Sequence, residues 1–180
     1  LLAGIAIRDG HQVQVYDLNA WRLGDEVLEQ VLRADDWDVV GIGGISTTYA
    51  CVKKVSAFAK QHAPKALVVV GGGLLTAMPR DIMSLIPEID LGVIGEAFVT
   101  FPEVLARLDA GTYNPAEILG VIYREAPGRL QMTPERGIIH ELDGLPYPAW
   151  DLFPLEEVYF GDNSQALFSE EGMLARRRLD

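Results

Sequence analysis

The chain holds one cysteine, Cys51, among 180 residues. A single thiol cannot make a disulfide, a multi-cysteine zinc site or an iron–sulfur cluster within the chain. Histidine is scarce too. His11, His62 and His140 are scattered, without metal-ligand spacing. Basic residues are outnumbered, 15 against 26 acidic ones, for a net charge of −11. That balance argues against a nucleic-acid or anionic-membrane partner and also serves plain solubility. No apolar run reaches membrane-spanning length, and the opening residues show no basic leader with a cleavage-type site. No nucleophile elbow or P-loop occurs. These absences predict a cytoplasmic domain without a catalytic or metal-ligating set of its own. A length of 180 residues suits one domain able to bury a core unaided.

What the chain does have is alternating structure punctuated by glycine. Leu1 to Asp9 reads as the middle of a helix ending at Gly10, so an upstream strand and loop are expected to be missing. His11–Asp17 alternates polar and β-branched residues like a strand. Asp25–Ala34 is an amphipathic helix, with Val27, Leu28, Val31 and Leu32 at helical spacing. Trp37–Gly44 is a short strand running into a glycine turn, followed by a helix over Thr48–His62. Ala66–Val70 is continuously apolar, like a parallel strand buried on both faces. Gly71-Gly72-Gly73 follows at once. A helix is expected over Pro79–Leu85, a strand over Ile89–Ile94 and a helix over Phe101–Ala110. Such repetition, about four times over, predicts a doubly wound, Rossmann-like, mostly parallel sheet with helices on both faces. Beyond Gly111 the pattern changes to a hairpin turning at Pro127-Gly128, then an extended linker around Leu142–Asp151. The tail from Gly161 to Asp180 has weak periodicity, and Arg176-Arg177-Arg178 reads as a solvated patch.

In such sheets ligands bind outside the C-terminal edge of the strands, and there the glycines cluster. Three glycines in a row exceed what a tight turn needs and let a bulky group approach the backbone. Gly41 to Thr48 is not a dinucleotide fingerprint: Ser46 stands where the third glycine belongs, and no acidic residue is placed to hold a ribose. The hydroxyls of Ser46, Thr47 and Thr48 suit either a ligand or the cap of the next helix. Asp17 and Asn19 suit a ligand or turn chemistry. Glu96 suits a ligand or a cap. Cys51 reads as a small buried apolar residue, although a thiol near a helix start can also be activated.

Taken in order, Leu2-Ala3-Gly4, Gly10 to Asp17, Asp38-Val39-Val40-Gly41-Ile42, Val68 to Gly73, Gly95-Glu96 with Thr100-Phe101-Pro102-Glu103, and Leu142 to Leu152 form a set. That set resembles the cobalamin-binding N-terminal domain of cobalamin-dependent radical SAM enzymes. The resemblance implies a cobalamin-binding Rossmann-like domain over 1–115, a hairpin extension over 116–140, and a linker over 141–180 toward a radical SAM barrel of the full-length chain. It implies cofactor contacts from Asp17, Asn19, Ser46, Thr47, Thr48, Gly71, Gly72, Gly73, Leu74, Gly95 and Glu96, with no catalytic or metal-ligating residue. S-adenosylmethionine and an iron–sulfur cluster are expected only in the barrel. The implied reaction is methyl transfer from methylcobalamin to an unactivated centre; the alternatives are cyclase or oxidoreductase chemistry, or an interaction domain without ligand. Two departures stand out. Many corrinoid carriers place a cobalt-ligating histidine in Asp-x-His-x-x-Gly, where this chain has Asp17-Leu18-Asn19-Ala20-Trp21-Arg22, and asparagine cannot replace imidazole. The family's repeated Gly-Glu is also broken, at Gly95-Glu96-Ala97-Phe98.

Overall fold

The computed structural model describes residues 1–18 and 24–159. Asn19, the stretch on to Arg22, and the tail with Arg176–Arg178 lie outside the described residues. Three strands, β1 (Val39–Gly43), β2 (Leu67–Gly71) and β3 (Leu91–Val93), run parallel in sequential order. A hairpin, β4 (Val121–Ala126) and β5 (Arg129–Met132), adds antiparallel to β3 and turns at Pro127-Gly128. The expected hairpin therefore extends the same sheet.

β2 explains why the sheet has helices on both faces. Val68 and Val70 point to one side and Val69 to the other, and all three are buried. On the first side Val68 packs with Leu28 and Leu32 of α2 (Asp25–Arg33) and with Val55 and Ala59 of α3 (Tyr49–His62). Val70 packs there with Leu74 and Leu75 of α4 (Gly73–Ala77) and with Ile82 and Met83 of α5 (Pro79–Leu85). On the second side Val69 joins Leu91, Val93 and Val104 of α6 (Ala97–Asp109), and α1 (Leu2–Arg8) packs on α6. Gly92 lacks a side chain because Leu75 and Ile122 fill that space, 2.6 Å from where a Cβ would lie.

Polar anchors hold the layers at the N-terminal edge of the sheet. The Asp90 carboxylate accepts the Val68 N–H at 2.7 Å and the Lys60 ammonium at 2.5 Å, tying β2, β3 and α3 together. Arg124 on β4 donates to the carbonyls of Met83, Ile86 and Ile89, which satisfies acceptors left over at the end of α5. The linker lies on α1: a Cβ on Gly4 would come within 2.5 Å of the Tyr147 carbonyl, and Ala149 is buried.

Three expectations are corrected. His11–Asp17 has no sheet partner among the described residues, so three parallel strands stand there rather than four. Its alternation remains visible in the burial, but a strand needs a ladder as well as a pattern. The last parallel-unit helix begins at Ala97, not Phe101, and contains Pro102. Packing of Ala97, Phe101 and Val104 outweighs the hydrogen bond that Pro102 cannot make. Cys51 is exposed. The buried stripe of α3 runs through Val52, Val55, Ser56 and Ala59, and Cys51 falls beside it.

Burial, with a smaller contribution from the Asp90 charge, pushes the Tyr113 phenol up to about 12. An unfolded tyrosine ionises near 10. The group thus contributes stability below about pH 10 that is lost as pH rises toward about 12. The urea midpoint should fall through that window, and fall less steeply in Tyr113→Phe. Parallel pH profiles for the two proteins would refute this assignment.

Candidate functional site

Three strand-to-helix loops meet at the C-terminal edge of the sheet: Gly44–Thr48 after β1, Gly72 after β2 and Ile94–Glu96 after β3. They are joined by backbone hydrogen bonds. The Gly44 N–H donates to the Gly71 carbonyl at 3.2 Å, and the Leu74 N–H to the Gly44 carbonyl at 3.0 Å. The Gly95 N–H donates to the Thr76 hydroxyl at 3.0 Å. One continuous rim results, and α3, α4 and α6 all start from it. Helix N-termini carry partial positive charge, which favours an anionic group nearby, although the Tyr49 N–H is already given to Ser46 and the Leu74 N–H to Gly44.

The glycines of this rim divide into two kinds. Gly72 has φ +89°, and a Cβ there would lie 2.6 Å from the Gly44 carbonyl oxygen. A Cβ on Gly44 would meet Val52 at 2.5 Å. These two are glycine because the loops press together. Gly43 and Gly95 have nothing within 4 Å of a Cβ position, and Gly73 only the Ile45 side chain at 3.9 Å. Among the described residues no neighbour requires Gly43 or Gly73 to be bare, whereas Gly95, with φ +74°, is glycine for its own backbone conformation. They leave open backbone along one edge, beside Ile45, an isoleucine 59% exposed. Such an edge suits a broad, partly apolar ligand with an anionic appendage.

Most of the residues expected from the sequence lie on this rim. Ser46, Thr47 and Thr48 form a single exposed turn ahead of α3. The Thr48 hydroxyl accepts from the Ile45 N–H at 3.0 Å and donates to the Ile45 carbonyl at 2.9 Å, so it closes the Ser46–Thr48 turn and does not cap α3. Glu96 is exposed at the N-cap of α6, and its side chain makes no capping hydrogen bond. Gly71, Gly72, Gly73 and Gly95 are in place. Leu74 is different: its side chain is buried in the core and its N–H is given to Gly44, leaving only its carbonyl to offer. Asp17 accepts a hydrogen bond from the Tyr159 hydroxyl, which raises the Tyr159 phenol. The linker's last described residue thus reaches back to the chain's first turn region. Asn19 lies outside the described residues. Sequence reasoning passed over Thr76, whose hydroxyl ties the second loop to the third. A lone threonine in a helix gives no signal of a bond to a glycine nineteen residues away.

A recess lies elsewhere. It has a volume of about 650 Å³ and sits at the opposite, N-terminal edge, between Trp37, Lys60, Lys65, Asp90 and Asp109. Its lysines already pair with its carboxylates, Lys60 with Asp90 and Lys65 with Asp36, so it offers little to a ligand. Among the described residues no His, Cys, Asp or Glu cluster could hold a metal ion. No described helix is long and apolar enough to cross a membrane.

The B12-binding domain family matches residues 1–105. An uncharacterized methyltransferase of Pyrococcus horikoshii is 31% identical over 84% of this chain and 32% of its own length. The cytidylyl-2-hydroxyethylphosphonate methyltransferase of Streptomyces wedmorensis is 24% identical, over 88% of this chain and 36% of its own. The anaerobic magnesium-protoporphyrin IX monomethyl ester cyclase of Synechocystis is 25% identical, over 92% and 33%. The chain therefore spans about a third of the curated relatives it matches. Among solved structures, the radical S-adenosylmethionine methyltransferase TsrM of Kitasatospora setae, with cobalamin and a [4Fe-4S] cluster bound, shares the fold with a TM-score of 0.65 at 22% identity, over 82% of this chain and 27% of that one. The cobalamin-dependent S-adenosylmethionine radical enzyme OxsB, in apo form, gives 0.63 at 13%, over 76% and 19%.

The two kinds of glycine separate in stability measurements. Gly72→Ala should cost about 1–3 kcal/mol, because its backbone conformation is nearly glycine-only and the new methyl group meets a carbonyl. Gly73→Ala should stay within about 0.5 kcal/mol of the parent. Urea denaturation checks both, and equal costs would overturn the distinction.

Proposed function

This chain belongs to the B12-binding domain family, and from that premise we propose that its C-terminal sheet edge holds cobalamin within a radical S-adenosylmethionine methyltransferase. The observation that carries the reading is the open backbone at Gly43 and Gly73, two bare positions that no packing among the described residues demands, with Gly95 held open beside them by its own φ of +74°. A flat macrocycle gains contact area where side chains are missing, and the exposed Ile45 adds apolar surface beside it. The hydroxyls of Ser46 and Thr47 and the Glu96 carboxylate give polar contacts on the same rim. The starts of α3, α4 and α6 favour the phosphate of the nucleotide tail. Asp17 and Asn19 are further contacts in this reading.

Cobalamin bound here would supply a cobalt-borne methyl group for transfer. This chain's residues bind and orient it. S-adenosylmethionine and an iron–sulfur cluster belong, in this reading, to a barrel of the full-length protein, which the linker after the hairpin approaches. Methyl transfer is preferred because two of the curated relatives described above are methyltransferases, one of them 31% identical. The cyclase relative marks the competing chemistry.

The chain, incubated with hydroxocobalamin and passed through gel filtration, should elute with the corrinoid's visible absorbance. Gly73→Val should keep its thermal stability and lose at least about tenfold in affinity, since a branched side chain fills space kept for ligand. A colourless wild-type chain would defeat the reading in favour of an interaction domain without ligand.

A further inference from the structure

Behind the third loop of the rim stands a polar cluster that contacts none of the open backbone. Thr100 and Glu103 lie one turn apart on the same side of α6, near its start. Both are gripped by Arg136, from the segment after the hairpin. The Arg136 Nε donates to the Thr100 hydroxyl at 2.9 Å, and its Nη2 pairs with the Glu103 carboxylate. The Arg136 side chain is 19% exposed and Thr100 is fully buried. Thr100 passes the link on, donating to the Leu119 carbonyl at 3.3 Å.

The next residue, Gly120, joins this cluster to the rim. Its N–H donates to the Pro134 carbonyl at 2.8 Å, and its own carbonyl accepts the Ile94 N–H at 2.8 Å. Gly120 has φ +74°, and a Cβ there would lie 3.3 Å from the Arg136 Cβ. Ile94 is the residue before Gly95-Glu96. The loop is therefore held from both sides. Arg136 holds the helix that leaves it, through Thr100 and Glu103, and the turn that supports its entry, through Leu119–Gly120. A guanidinium suits this task because its planar fork can bond a hydroxyl and a carboxylate at once, which an ammonium does less well.

We propose that Arg136 is a positioning residue: it fixes the Gly95–Glu96 loop in the place from which that loop contacts cobalamin. This rests on the cobalamin reading given above and deepens it. It also gives Thr100 and Glu103, in the segment Thr100-Phe101-Pro102-Glu103, a structural partner in place of a ligand. A ligand site depends on the residues that hold its contacting groups, and removing such a supporting residue weakens binding by about tenfold or more.

The test uses Arg136→Ala, Arg136→Lys and a control, Arg107→Ala, in the full chain. Arg107 also pairs with Glu103, at 3.0 Å, but otherwise holds Glu117, away from Thr100 and Gly120. Amide hydrogen exchange without ligand reads the loop directly. Arg136→Ala should speed exchange at residues 94–97 and leave β1 and β2 unchanged, while Arg107→Ala should not affect 94–97. Hydroxocobalamin affinity should fall about tenfold in Arg136→Ala, recover in part in Arg136→Lys, and stay at the wild-type value in Arg107→Ala. Unchanged exchange at 94–97 overturns the proposal, as does acceleration shared by the whole sheet, which marks general destabilisation. Wild-type affinity in Arg136→Ala overturns it too. A wild-type chain that takes up no cobalamin is a failure of the cobalamin reading and removes the cofactor half of the proposal; the exchange arm then still decides whether Arg136 fixes the loop.

Discussion

Gly72 lies so close to Gly44 that any side chain at position 72 would overlap the Gly44 carbonyl, and this contact sets the shape of the functional edge. With the loops pressed together there, the Gly44 N–H reaches Gly71 and the Leu74 N–H reaches back to Gly44. That pair of bonds aligns the ends of β1 and β2. It directs α4 down into the core, where Leu74 and Leu75 are buried against Val52 and Val70. Thr76, one turn further on, then meets the Gly95 N–H and brings in the third loop. The edge is thus a backbone structure, with few side chains standing on it. A rim built this way is rigid where glycines touch one another and open where they touch nothing.

The two edges of the sheet differ accordingly. At the N-terminal edge Asp90 binds Val68 and Lys60, and both lysines of the recess are paired with carboxylates. At the C-terminal edge three helix starts converge over bare backbone, and exposed Ser46, Thr47 and Glu96 line it. The unpaired polar side chains, the helix dipoles and the bare backbone at Gly43 and Gly73 make the C-terminal edge the better ligand surface.

Much of this was legible in the sequence, for local reasons. Val68-Val69-Val70 names a strand buried on both faces, and Gly71-Gly72-Gly73 directly after it places glycine at the strand's C-terminal end. The hairpin shows in Pro127-Gly128. What the sequence could not disclose depends on distant partners. His11–Asp17 alternates like a strand, but no ladder partner stands beside it among the described residues. The helix expected from Phe101 begins at Ala97, because its first turn is held by packing against another layer. Cys51 looked buried by type, yet one step around α3 exposes it. Of the three adjacent glycines, only the structure shows that the middle one serves the fold while its C-terminal neighbour leaves space. The link from Arg136 back to Gly95 runs through Thr100 and Gly120, far apart in the chain, and has no periodic signature.

If cobalamin is held where proposed, on the open glycine edge and nowhere else on this domain, amide hydrogen exchange of the chain with and without saturating hydroxocobalamin will show it. Protection should concentrate at residues 43–48, 72–74 and 95–97, with the recess around Trp37, Lys65 and Asp109 unchanged. Protection centred on that recess, or none at the three glycine loops despite bound corrinoid, would refute this placement.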